Sequence, residues 1–300
     1  MLLQGIMAEP WIIDPHTHFK GEEQIRLEAR DKKRHPKDTL GWVVTPADYK
    51  KLAAELDIEA TLVVEAVAQD HPEFNDWLLS CANAEVVCGY VARGDLARDD
   101  FLVHHTRYKN TGYLNGYRFR REETAGYLED ETARKHLTQL EKEEMVIDLL
   151  IDHGHAKDAL RLARAYPKLK IIINHCLRAR IVDGGVSPEW MQAVEELGKQ
   201  ANIFMKISSI LNFAGTQPFL ESAPTELSFY LPALDPCFEA FGEDRVIFAT
   251  NWGVCSHYGK TADVVRIVRE FLRSKSVTAE RKGMRENAIR IYGISKINLP

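Results

Sequence analysis

Eight short apolar runs, rich in β-branched residues and separated by amphipathic stretches, restrict the folds open to this chain more than any other feature. They fall at 11–14, 60–66, 86–92, 114–119, 145–151, 170–174, 202–208 and 245–250. Near-continuous apolarity within each run is the pattern of strands buried on both faces, as in a parallel sheet. The stretches between them carry helix punctuation. Thr45-Pro46, His71-Pro72 and Ser187-Pro188-Glu189 each read as a helix start with a first-turn proline. Helical spacing is plain in Leu160, Leu162, Ala163 and Tyr166, and again in Val264, Val265, Ile267, Val268 and Phe271. Eight such units in 300 residues, with no linker or internal repeat, predict an α/β fold: one (β/α)8 TIM barrel spanning 1–300. An open doubly wound sheet, for which about six strands are usual, fits less well. The stretch 279–292 is expected to close the barrel as a terminal helix. No GxGxxG or GxxxxGK[ST] loop follows a strand, which removes the main support for a dinucleotide or nucleoside triphosphate site.

Charge and cysteine usage narrow the function classes. The 39 basic and 44 acidic residues are interspersed, giving a net charge of -5 without a long run of either sign. Neither nucleic acid nor an anionic membrane is an expected partner; a small-molecule substrate is. A homo-oligomer is compatible with a barrel of this kind, whose helices commonly pair. The 5 cysteines are scattered and lack CxxC spacing, which suits reduced thiols better than disulfides or a thiolate zinc knuckle. Residues 1–8 lack the basic and apolar regions of a signal peptide, and no run approaches the roughly 20 apolar residues that span a bilayer. A cytoplasmic location is the expectation.

In a (β/α)8 barrel the chemistry collects at the C-terminal ends of the strands. Here the first run leads to His16 and His18, whose alternate positions share one strand face and aim both imidazoles into one pocket. The second run ends at Glu65, the third leads to Arg93, and the fourth supplies Arg118 and Arg120. Asp152, His153 and His155 follow the fifth run, and His175 ends the sixth. Lys206, Ser208 and Ser209 belong to the seventh, and the eighth reaches Asn251 and then His257. Imidazoles converging from several strands suit a divalent ion, zinc first, with a position left open for an activated water. On this reading His16, His18, His153 and His175 are candidate metal ligands. His153 can equally wall the site or turn the chain. Arg118 presents a forked guanidinium suited to a substrate carboxylate or a polarised carbonyl. Lys206, an ammonium in mid-strand, is too costly to bury without a partner, which a carboxylate, substrate or solvent could provide. Glu65 could hold Lys206, hold an imidazole or cap a helix; with Arg118 and Lys206 it is taken as a substrate-binding candidate. The charged loop 20–37 reads as solvated surface, and the loops 20–40, 101–113 and 212–229 are expected to set substrate choice.

The chain resembles the amidohydrolase superfamily, in its amidohydrolase-related branch of sugar-acid lactonases and pyrone dicarboxylate hydrolases. The stretches that carry the resemblance are Ile13-Asp14-Pro15-His16-Thr17-His18-Phe19, Gly116-Tyr117-Arg118-Phe119, Ile172-Ile173-Asn174-His175, Asn202-Ile203-Phe204-Met205-Lys206-Ile207-Ser208, and the segment from Phe241 to Trp252. The resemblance implies a (β/α)8 barrel that hydrolyses a lactone, ester or amide, often with one divalent metal, and in a sister group decarboxylation. Some members of the branch work without a metal. One residue departs from the pattern. Family members usually read Gly-Ser-Asp-Trp-Pro where this chain has Ala249-Thr250-Asn251-Trp252-Gly253, so the carboxylate that would ligate metal and accept the water proton is an amide. An amide cannot act as a base near neutral pH, and a positioned general base contributes about 100- to 10,000-fold in rate.

Three readings follow. In the first, Asp152, a fifth-strand histidine or His175 takes the proton, and the chain is a lactonase-like hydrolase with Asn251 still in the site. In the second, the chain is a non-catalytic homologue that binds a small acid or a metal. In the third, a metal-dependent decarboxylase uses Arg118 and Lys206 to stabilise a carbanion-like state.

Overall fold

The structure, a computed structural model, describes residues 11–30, 43–66, 74–82, 84–218 and 220–297; of residues 27–30 it describes the backbone alone. Eight parallel strands lie in sequence order: β1 (Ile12–Thr17), β2 (Ile58–Val64), β3 (Val87–Ala92), β4 (Leu114–Arg120), β5 (Val146–Leu150), β6 (Lys170–Ile173), β7 (Ile203–Ile207) and β8 (Val246–Phe248). Every neighbouring pair from β1 to β8 is hydrogen-bonded in parallel. The ring closes beyond the short β8. Thr17 bridges Trp252, Asn251 N–H donates to the His16 carbonyl at 2.9 Å, and His18 N–H donates to the Trp252 carbonyl at 3.1 Å. The seam is reinforced by Asp14, fully buried on β1, whose carboxylate accepts from Tyr49 OH at 2.6 Å and from the Thr250 N–H at 2.9 Å. The fold is thus the (β/α)8 barrel that the eight runs predict.

Two expected helix starts are visible. Thr45 and Asp48 form a reciprocal capping box before Pro46–Glu55, and Ser187 Oγ accepts from the Trp190 N–H at the start of Pro188–Gly198. The start expected at His71-Pro72 lies outside the described residues, which resume with helix Phe74–Cys81. Two layers of apolar side chains hold the barrel. The larger packs strand exteriors against helices, and the smaller fills the interior with residues such as Ile13, Leu62, Val146, Ile172 and Ile247. Ala288, Ile291 and Tyr292 of the terminal helix Asn287–Tyr292 join that interior layer and close the N-terminal end, as expected. One wide turn, Lys282–Glu286, interrupts the regular path between Val277–Arg281 and Asn287–Tyr292.

Two loop expectations need correction. Most of 101–113 is helix Phe101–Lys109, whose Phe101, His105 and Tyr108 turn inward to the strand exterior, so it forms no wall of the cavity at the strand ends. The segment 20–37 is not simply solvated. Lys20 is only 5% exposed and its backbone pairs with Val44 in both directions, which turns it towards the cavity. Residues 31–37 lie outside the described residues.

Candidate active site

The C-terminal ends of the strands open into a cavity of about 670 Å³. His18, Arg118, His175 and Asn251 line it, and the 212–218 loop forms one wall through Asn212, Phe213, Gly215, Thr216 and Pro218. Lys20, Arg120, Arg178 and Arg180 add further positive charge, and no Asp or Glu is among the described residues that line it. In a chain of net charge -5, this concentrates positive potential at one mouth of the barrel.

The imidazoles meet beneath this cavity. His16 and His18 approach Nε2 to Nε2 at 3.2 Å, and the rings of His16 and His175 lie 4.7 Å apart, centroid to centroid. Their protons can be assigned from the partners. The Val64 carbonyl, 2.9 Å from His18 Nδ1, can only accept, so that nitrogen carries the hydrogen and Nε2 of His18 is left with its lone pair. His16 therefore donates from Nε2, and its own Nδ1 accepts from the Lys206 ammonium at 3.2 Å. His175 is held through Nδ1 by Ser208 Oγ at 2.8 Å. Burial, then the charges of Lys206 and His175, keep the His16 pKa well below the usual imidazole value. Burial and Arg118 lower that of His18 to about 3, and burial, Lys206 and Arg118 hold His175 well below the usual value. All three are neutral at physiological pH.

The buried charges below are paired. Lys206, fully buried, donates to Asp148 Oδ2 at 2.7 Å and to the Pro15 carbonyl at 3.3 Å; Tyr292 OH donates to Asp148 Oδ1 at 2.7 Å. Burial lowers the Lys206 pKa, and Asp148 opposes the shift. Glu65, also fully buried, accepts from Arg118 Nε at 2.7 Å and from Arg120 at 2.7 and 3.0 Å. Burial pushes its carboxyl upward, but Arg118, Arg120 and Arg93 outweigh that and hold it well below the usual carboxylate range.

His175 enters the cavity on a strained turn. His175, Cys176, Leu177 and Arg178 have φ of 57°, 47°, 52° and 54°, four consecutive left-handed residues, none of them glycine. Each costs roughly 1–2 kcal/mol, so surrounding contacts must hold the turn. Trp190 Nε1 donates to the Cys176 carbonyl at 2.9 Å, and Leu177 N–H donates to the Asn174 carbonyl at 3.1 Å. The turn directs His175 and Arg178 into the same space. Asn251 is left-handed as well, with φ of 60°, a conformation asparagine tolerates. Its Nδ2 donates to Ser209 Oγ at 2.8 Å, and its Oδ1 is buried with no hydrogen-bond partner.

The structure therefore brings together His16, His18, His175, Arg118 and Asn251, and separates the others. Asp152 and His153 line a neighbouring cavity, because the turn after β5 carries them outward; Asp152 is bound to His155 Nδ1 at 2.8 Å. Their places as base and ligand are corrected accordingly. Lys206 and Glu65 do not reach the cavity either. Each is held in a buried ion pair, Lys206 with Asp148, a carboxylate partner being one of the alternatives expected for it, and Glu65 with the arginines, so both are placed to position other groups and not on the cavity wall. The sequence reading missed Asp148, although an acid inside the apolar run 145–151 opposite a mid-strand lysine was a signal. It also missed Arg178 and Arg180, which the Arg-Ala-Arg triplet just after His175 displays.

The fit to a metal ion is incomplete. The 3.2 Å between the Nε2 atoms is close to the spacing of two nitrogens bound at about 2.0–2.1 Å to one tetrahedral ion. Yet a metal needs the lone pair on His16 Nε2, where the Lys206 contact places the hydrogen. Among the described residues no group of three His, Cys, Asp or Glu side chains is arranged to hold an ion, and position 251 supplies an amide.

The cationic pocket floored by imidazoles lies at the strand ends of a parallel barrel, where (β/α)8 enzymes carry their active sites. The amidohydrolase family model matches residues 13–294, and the chain belongs to that family. It is 25% identical over 255 residues, 82% of this chain and 83% of the relative, to an L-fucono-1,5-lactonase of Burkholderia ambifaria. An amidohydrolase from Burkholderia multivorans, solved with bound zinc, superposes with a TM-score of 0.81 at 19% identity, covering 95% of this chain and all 100% of that one. A structure from Acinetobacter baumannii titled as a probable 2-pyrone-4,6-dicarboxylic acid hydrolase, with citric acid bound, gives 0.73 at 14% identity over 94% and 99% of the two chains. No helix among the described residues is long and apolar enough to cross a membrane.

Proposed function

We propose that this chain hydrolyses a lactone or related ester of a small carboxylic or sugar acid, with His175 as the base. One observation carries the reading: a neutral imidazole, a buried guanidinium and an asparagine side chain line the same cavity. His175, held at Nδ1 by Ser208, keeps Nε2 for a water proton. Burial and nearby cations make it a weak base before a substrate's charge enters. Negative charge growing on the substrate oxygen offsets those cations as the reaction proceeds. Arg118, fixed by Glu65, is the donor suited to that oxygen, and a preorganised donor there is worth about 100- to 1,000-fold in rate. Asn251 cannot take a proton; its Oδ1 is buried without a hydrogen-bond partner, an acceptor that a small shift of the side chain would offer to the attacking water. The lactonase relatives support the choice of reaction.

A divalent ion, zinc above all, is the cofactor implied by the imidazoles and by the zinc-bound neighbour. With two donors aligned and the His16 tautomer opposed to it, the site gives such an ion a weak hold, and the steps above do not pass through it. The test is a panel of sugar lactones and simple aryl esters incubated with chelator-treated protein. Hydrolysis above the rate in buffer supports the reading. Ligand-dependent thermal stabilisation without product overturns it in favour of a binding protein, and carbon dioxide release from an aromatic acid overturns it in favour of a decarboxylase.

A further inference from the structure

The reaction cavity has a neighbour. A second cavity of about 600 Å³ shares two wall residues with it, Arg178 and Arg180, and is lined further by Val182, Val186 and Trp190. We infer that this second chamber takes the apolar extension of a substrate whose anionic group rests on the Arg178–Arg180 divide. The inference rests on reading the imidazole-floored cavity as the reaction chamber.

The two arginines are placed by backbone, not by chance contact. Arg178 ends the left-handed turn that begins at His175. Arg180 precedes Ile181, whose N–H donates to the Phe213 carbonyl at 2.8 Å and ties this segment to the opposite wall. Gly215, with φ of 66°, gives the guanidinium room, since a Cβ there would lie 2.7 Å from an Arg180 nitrogen. Asp152 is the acid on the wall of the second chamber. Its carboxylate is bound to His155 Nδ1 at 2.8 Å, and His153 stands beside it on the same wall.

The apolar side is also preformed. Val182 and Gly185 exchange two backbone hydrogen bonds at 2.9 and 3.0 Å, closing a tight turn through Asp183 and Gly184, both at positive φ. That turn displays Val182 at 64% exposure on the wall of the second chamber. The floor is Trp190, fixed by its bond to the Cys176 carbonyl. Cationic groups at the divide and aliphatic groups beyond it are complementary to one kind of occupant, a carboxylate or phosphoryl group joined to an alkyl or aryl tail. A free sugar acid, polar along its whole length, leaves the second chamber unfilled.

The experiment needs no turnover. Binding of straight-chain carboxylates from acetate to hexanoate is measured by calorimetry, with methyl and butyl phosphate as the arm that distinguishes a phosphoryl head. In the wild type, affinity is expected to rise about fourfold per methylene once the tail passes the divide. Val182→Asp and Val186→Asp flatten that rise. Arg180→Ala weakens every ligand at least fivefold and leaves the rise in place. A flat series in the wild type, or a rise that survives both valine variants, overturns the inference. A rise with no hydrolysis of any lactone or ester leaves the chamber standing and sinks the proposed reaction; hydrolysis with a flat series does the reverse.

Discussion

Lys206 Nζ lies 3.2 Å from Nδ1 of His16, a contact that agrees with the Val64 carbonyl on where the protons of His16 and His18 sit. An ammonium can only donate, so His16 accepts there, donates to His18 from Nε2, and His18 donates to the Val64 carbonyl. The lysine thus acts from below the cavity, setting the tautomer of residues above it.

The first prediction concerns that lysine. Lys206→Met leaves Asp148 buried without its partner, and breaking a buried pair from one side costs about 3–5 kcal/mol. Urea unfolding is expected to show that loss. The double variant Lys206→Met with Asp148→Asn should recover a good part of it, because Tyr292 can still donate to the amide oxygen. A single variant as stable as the wild type contradicts the pairing.

Acid sensitivity follows from the three neutral histidines. Their folded pKa values lie below the unfolded value of 6.5, so below pH 6.5 the unfolded chain binds protons that the folded chain does not. Stability is therefore full above 6.5 and falls as the pH drops, by up to about 1.4 kcal/mol per pH unit for each ring. Glu65, depressed in the fold, adds to the loss only below its unfolded value of 4.5. Asp14, raised by burial, works in the opposite sense from its unfolded value of 3.8 upwards and offsets a share of the loss. Urea unfolding at pH 7.5 and 5.5, with chelator present, should differ by at least about 1.4 kcal/mol, one ring's worth. Equal stability at the two values contradicts the neutral assignment.

Restoring a carboxylate at position 251 should change metal affinity. Asn251→Asp keeps a residue that tolerates the left-handed backbone and adds an anionic oxygen to a residue that lines the same cavity as His18. Elemental analysis after dialysis is expected to find the wild type well below one zinc per chain and the variant close to one. Full occupancy of the wild type, lost in His16→Ala, contradicts the weak hold argued for these donors.

The barrel was legible because it is written locally. Each strand is a short apolar run, as at 145–151 and 202–208, and each visible cap is a side chain bonding to its own helix, as at Thr45 and Ser187. The His16, His18 and His175 cluster was legible once the barrel was assumed, since strand ends share one mouth. Asp152 and His153 were misplaced because only the path of the chain after β5 decides whether a turn points inward. Lys206 and Glu65 were misread for a related reason. Their partners Asp148, Arg118 and Arg120 stand on other strands, and the sequence shows that a buried charge needs a partner without showing which one. Arg178 and Arg180 depend on a left-handed turn that non-glycine residues seldom adopt, so no local pattern announces it.

The role of His175 is tested most directly by single-turnover hydrolysis of the best lactone or ester of the panel, comparing the wild type with His175→Gln under chelator across pH 5.5–8. The account predicts that the variant folds, binds the compound and loses about 100- to 10,000-fold in the chemical step. A rate within about threefold of the wild type, a barrier change of less than about 0.7 kcal/mol, contradicts it.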